Sequence, residues 1–119
     1  GRTFIAGADI SEFGGNVPNA GLIPNLPATA CVEVPCVADS AGVRPCHVGN
    51  LPEPCAALNR THVNVHLLVI DAAMTRRRDT VYQAAMLDPH TAAELTLDQI
   101  RDLCDELFAA HGRLIPAYR

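Results

Sequence analysis

The chain changes its period near Leu51, and that break decides its fold class. Ahead of it, Gly14-Gly15, Pro18, Gly21, Pro24, Pro27, Pro35 and Pro45 interrupt every run. Proline fixes φ and withholds a donor, so this stretch can hold only loops and short strands. After it, Leu58, Val65, Leu68, Val69 and Ala72 recur at helical spacing. They predict one long amphipathic helix from Pro52 to about Met74, with prolines tolerated in its first turn. The expectation is an α+β chain with short N-terminal strands forming a β-hairpin, then three main α-helices. At 119 residues it can bury about two thirds of its unfolded surface, enough for one domain's core.

The hairpin is expected from residues 30–38 and 42–48. Ala30 to Ala38 is rich in β-branched residues, Gly42 to Val48 gives a second short run, and Asp39-Ser40-Ala41-Gly42 supplies the turn. Pro35 then demands an edge position or a bulge. A second helix covers Asp79 to Leu87 and stops at Asp88-Pro89. In the third, Thr96 and Gln99 form a capping-box pair and Gly112 sits at the C′ position. Leu97, Ile100, Leu103, Cys104, Leu107, Phe108 and His111 line one face between them.

Composition removes several function classes. At 49% hydrophobic and 18% charged, the chain is well outside the disordered range. No run approaches the roughly 18 apolar residues of a membrane span, and no secretory leader pattern opens the sequence. The expected location is cytoplasmic, with no membrane partner. Net charge is −4 and every one of the nine basic residues is arginine, which leaves no cationic face for a phosphate backbone, so no nucleic-acid partner is expected. Arg76-Arg77-Arg78 reads as a solvated surface run. Five cysteines, an odd number, favour free thiols in a reducing compartment.

Two constellations invite a metal reading. Cys31, Cys36, Cys46, His47 and Cys55 are the right residue types for zinc, but their gaps lack paired short knuckles, and Cys31 and Cys36 fall on opposite strand faces. His62 and His66 are four apart on the long helix, yet position 63 is Val and no third ligand is evident. No nucleophile elbow, phosphate loop or dinucleotide fingerprint is present. The residues therefore assign no catalytic, cofactor-binding or metal position.

From about Asn16 onward the chain resembles the C-terminal region of glycoside hydrolase family 4, in its α-galactosidase- and α-glucosidase-like branch. The resemblance rests on Asn16-Val-Pro-Asn-Ala-Gly-Leu-Ile-Pro-Asn-Leu-Pro27, Val32-Glu-Val-Pro-Cys36, Val48-Gly-Asn-Leu-Pro52 and Cys55-Ala-Ala-Leu-Asn-Arg-Thr61. It continues through Val81-Tyr-Gln-Ala-Ala-Met-Leu-Asp-Pro89, Leu97-Asp-Gln-Ile100 and Asp105-Glu-Leu107. It implies an enzyme whose N-terminal half binds NAD and whose C-terminal half completes the sugar pocket and the subunit interface. In that family NAD takes hydride from C3 of the sugar, a divalent metal such as manganese acidifies C2, and the glycoside leaves by elimination. The residues for those steps precede the matched region, so no cofactor is expected for this chain itself. Cys46-His47 lies in the segment matching the strand after the hairpin and is not the family's catalytic pair. Asn16, Asn19 and Asn25 become the expected pocket-rim positions.

Gly1 to Phe13 resembles a different family. Around Ala6-Gly-Ala-Asp9 it is similar to the oxyanion-hole segment of enoyl-CoA hydratases (crotonases), which would make the Ala8 N–H a vestigial oxyanion donor. The resulting expectation is a chimeric or truncated chain: an arm over residues 1–14, hinged at Gly14-Gly15, and a family-4-like module over residues 15–119. Such a module would be a homodimer or higher homo-oligomer. The alternatives are a small or library-selected protein with weak hydrolase activity, and a folded module without biological function.

Overall fold

The computed structural model describes residues 2–5 and 8–119, with side chains described from residue 12 onward. The chain divides into two compact units, Gly1–Ala56 and Ala57–Arg119.

The first unit is an antiparallel four-stranded sheet in the order β1-β2-β3-β4, with β1 Arg2–Ile5, β2 Ala8–Pro18, β3 Cys31–Asp39 and β4 Gly42–Pro45. The β3–β4 hairpin is the one expected, although β4 ends at Pro45. At its turn the Asp39 carboxylate accepts the Ala41 N–H at 2.8 Å and pairs with Arg44, and Gly42 adopts φ 119°. Along β3, Val32, Val34 and Cys36 are buried while Cys31, Glu33 and Pro35 are exposed. Period-two alternation therefore separates Cys31 from Cys36.

Two expectations about this unit change. Gly14-Gly15 is no hinge, because it lies inside β2, opposite Pro35 and Val34 of β3. Gly15 answers to crowding, since a Cβ there would stand 2.7 Å from Cys36 Sγ, whereas a Cβ on Gly14 would meet only the movable end of the exposed Glu33 side chain. Pro35 belongs to an inner strand rather than an edge. Its carbonyl accepts the Cys46 N–H at 2.8 Å, one residue beyond the last residue of β4. A strand residue's N and O point to the same side, so the donor proline lacks falls where that ladder stops.

The second unit takes α1 Glu53–Thr75 from Ala57 onward and adds α2 Arg78–Leu87, α3 Pro89–Glu94, α4 Leu97–His111 and a 3₁₀ turn at Gly112–Leu114. α1, α2 and α4 lie where periodicity places them. The unanticipated α3 comes from Asp88-Pro89, which ends one helix and starts the next. Asp88 accepts the Thr91 N–H at 2.8 Å and the Thr91 hydroxyl at 2.9 Å, while Pro89 sits where its missing N–H costs nothing. α4 carries the full capping box: the Gln99 N–H donates to Thr96 Oγ1 at 3.3 Å, and the Thr96 N–H to Gln99 Oε1 at 2.8 Å. Gly112 follows at φ 47°.

The seven-residue face of α4 is covered only in part. Ile100 and Cys104 are buried, whereas Leu97, Leu103 and Leu107 are 63%, 40% and 47% exposed. Periodicity marks an apolar stripe without stating how much of it finds a partner.

Candidate functional site

The three asparagines expected at a pocket rim occupy different environments. Asn19 follows β2 and is buried. Its Nδ2 donates to the Ile23, Leu26 and Pro27 carbonyls at 2.9, 3.0 and 3.1 Å, and its Oδ1 accepts the Ile23 N–H at 2.8 Å. One amide thus adds four bonds to a loop whose own backbone closes with Asn19 to Ala30, Leu22 to Asn19, Leu26 to Ile23 and Ala30 to Pro27. Asn25 clamps the far side of that loop: its Nδ2 donates to the Leu51 carbonyl at 2.8 Å and to Glu53 Oε1 at 3.2 Å, and its Oδ1 accepts the Leu51 N–H at 3.0 Å. The Leu22 carbonyl accepts from Val48 and Gly49 at 3.0 and 3.1 Å. Loop 19–30 and segment 46–51 therefore form one hydrogen-bonded body. Asn16 is exposed on β2, opposite Glu33.

Ala8 opens β2 and pairs with Ile5. Ala6 and Gly7 of the crotonase-like core lie outside the described residues.

The metal-type residues stay dispersed. Cys31 and Cys55 are exposed, Cys46 is half-buried, Cys36 and Cys104 are buried, and all five thiols are free. His62 and His66 are exposed on α1. Among the described residues no three of His, Cys, Asp and Glu come together as a metal-binding group. The donors described do not fit a manganese site, and no chemical step is derived through one.

The best-defined polar cluster escaped sequence reasoning. Asp105 on α4 receives Arg78 Nη2 at 2.9 Å and the Tyr82 hydroxyl, both from α2. The Arg78 guanidinium lies 4.5 Å from the Phe108 ring centroid, and that of Arg101 lies 5.6 Å from the Tyr82 ring. The Tyr82 hydroxyl bond, with Arg78 beside it, holds the Asp105 carboxyl below its ordinary range. The same bond, with partial burial, pushes the Tyr82 phenol up. A lowered carboxylate and a raised phenol are poor choices for a general acid and a general base near neutrality. The cluster is a pin between helices, and its members are too far apart in sequence for any local motif to reveal it.

The comparisons with known proteins agree on one family. The model for the C-terminal domain of family 4 glycosyl hydrolases matches residues 4–91, and so reaches back into the segment for which a crotonase likeness is expected. An α-galactosidase of Bacillus subtilis is 60% identical over 107 residues, 90% of this chain and 25% of that protein. An α-galactosidase of Rhizobium meliloti is 36% identical over 87% of this chain and 21% of that protein. The crystal structure of a 6-phospho-α-glucosidase from gut microorganisms, in complex with NAD and glucose-6-phosphate, superposes with a TM-score of 0.83 at 26% identity. It covers 92% of this chain and 24% of that one. The chain spans about a quarter of the length of these relatives. Among the described residues no helix is long and apolar enough to cross a membrane. With the C-terminal-domain model matching residues 4–91 and 60% identity to an α-galactosidase over 90% of its length, the chain belongs to glycoside hydrolase family 4.

Proposed function

We propose that this chain is the pocket-completing and subunit-contact module of an α-galactosidase-like family 4 enzyme, and that it is not catalytically competent alone. The observation that carries the reading is the 60% identity to the Bacillus subtilis α-galactosidase, sustained along 90% of this chain yet only 25% of that protein. The module's part is mechanical: loop 19–30, held rigid by Asn19 and Asn25, presents a preorganised edge to a sugar. Hydride transfer to NAD and manganese-assisted elimination belong to the dinucleotide-binding half. In this reading the enoyl-CoA hydratase-like front has no chemistry of its own, and the protein works in the cytoplasm.

Self-association forms part of the proposal. Leu58, Val69, Ile70 and Met74 are all more than half exposed on α1. A soluble chain seldom leaves so many large apolar side chains on one helix without a partner. A homodimer or larger homo-oligomer is expected, with neither nucleic acid nor membrane as partner.

The test is calorimetric titration of the purified chain with NAD, alongside assay on nitrophenyl α-galactoside with added manganese. No saturable NAD binding and no turnover are expected. Saturable binding at micromolar NAD, or turnover above the uncatalysed rate, overturns the reading.

A further inference from the structure

We infer that residues 115–119 form a releasable strap over the apolar interior of the helical unit, and that this strap controls access to the buried thiol of Cys104.

Two half-open apolar pockets meet at Cys104. One, of about 370 Å³, is walled by Val65, Ala72, Ala84, Cys104, Leu107 and Tyr118 among others. The second, of about 180 Å³, is lined by Val81, Cys104, Leu107, Phe108, His111 and Ile115. The tail supplies a wall to each: Tyr118 to the larger, Ile115 to the smaller. Between them Cys104 is only 7% exposed. Burial also pushes its thiol up, away from the reactive thiolate.

The tail is fixed at few points. The Arg119 N–H donates to the Arg76 carbonyl and the Arg119 carbonyl accepts the Arg78 N–H, both at 2.9 Å. The second bond stands in for a helix cap, since Arg77 at the N-cap of α2 makes no side-chain capping bond. The first bond is accepted by Arg76, whose φ is 59°. The Tyr118 ring packs on Phe108 at a centroid distance of 5.4 Å and has the Arg76 guanidinium at 5.8 Å. After the turn at Gly112–Leu114 the tail has no regular secondary structure of its own. A segment held by two backbone bonds, the two contacts of the Tyr118 ring and the Ile115 side chain opens locally at less cost than the helices beneath it.

The experiment measures N-ethylmaleimide alkylation of the chain with Cys31, Cys46 and Cys55 replaced by Ser, leaving Cys36 and Cys104 as reporters in the two units. Tyr118→Ala is expected to raise the Cys104 rate by about tenfold or more, the signature of easier local opening. Tyr118→Phe, which keeps the ring, should stay near the parent rate. Far-UV circular dichroism and the Cys36 rate should not change. An unchanged Cys104 rate in Tyr118→Ala overturns the inference. So does a rise accompanied by loss of helical signal, which would make the tail part of the core rather than a strap upon it.

Discussion

Gly15 pairs with Val34 across the β2–β3 ladder and lies so close to the diagonal Cys36 that a methyl group on Gly15 would stand 2.7 Å from the sulfur. The same Cβ would lie 3.3 Å from the Phe13 ring. Cys36 is fully buried, so its sulfur has no free space into which to retreat. Gly15→Ala is therefore expected to cost about 1–3 kcal/mol of unfolding free energy through overpacking. Cys36→Ala removes the opposing atom, and in that background Gly15→Ala should cost clearly less. Urea titrations of the two single variants and the double variant check this; strictly additive costs would mean the two residues do not touch.

Asn19→Ala should be among the most damaging polar substitutions in the chain, because it leaves the Leu26 carbonyl and the Ile23 N–H without their partner and takes one of two donors from the Ile23 and Pro27 carbonyls. A loss of about 2–4 kcal/mol is expected from the buried groups left unsatisfied. Asn19→Asp should be no better, since it keeps the acceptor for Ile23 but aims a carboxylate at three carbonyls. Asn16→Ala, on an exposed position, should stay within about 0.5 kcal/mol of the parent. A reversed order, read from denaturation midpoints, would remove the clamp role from Asn19.

The Tyr82–Asp105 bond predicts opposite pH limbs. The Asp105 carboxyl is lowered in the fold, so its contribution is present above the unfolded carboxylate pKa and fades as pH falls through the folded value. Asp88, lowered by its bonds from Thr91, acts in the same sense. Tyr82 is raised, so its contribution is full below the ordinary phenol pKa and is lost as pH climbs through the folded value. Asp105→Asn should flatten the alkaline limb and soften the acid limb, leaving the part due to Asp88. Thermal melts across pH report both, and an alkaline limb unchanged in Asp105→Asn would contradict the pairing.

On α4 the contrast between neighbours is the test. Ile100 is fully buried, so Ile100→Ala should cost about 2–5 kcal/mol. Leu103 is 40% exposed, and Leu103→Ala should fall well short of that. Thr96→Ala, which removes the capping box, should cost about 1 kcal/mol. Equal losses at Ile100 and Leu103, measured by chemical denaturation, would show that the helix buries a different face.

These cases mark what could be read from the residues. α1, α2 and α4 were legible because period, caps and stop signals are local. The Thr96–Gln99 pair is four residues of text that encode two real hydrogen bonds. α3 was missed because Asp88-Pro89 was read only as a terminator, although the same dipeptide is a good helix start. The extent of β2 is hidden because Gly14-Gly15 looks like a breaker, and what crowds Gly15, the Cys36 sulfur on β3, lies about twenty residues away. The exposure of Leu103 was invisible because periodicity identifies a face and not its cover. At the candidate site, the family was legible from motifs such as Asn16 to Pro27. What Asn19 and Asn25 do inside that motif required the loop's backbone, and the Arg78–Tyr82–Asp105 pin required the tertiary packing of α2 on α4.

The central claim is that this chain serves as the C-terminal module of an α-galactosidase, and a graft tests it most directly. The matching C-terminal segment of the Bacillus subtilis α-galactosidase is replaced by this chain, and hydrolysis of nitrophenyl α-galactoside is measured with NAD and manganese added. The account predicts a folded hybrid whose activity lies within about tenfold of the unaltered enzyme, a loss of no more than about 1.4 kcal/mol in transition-state stabilisation. A hybrid that folds and remains soluble but shows no turnover would contradict it.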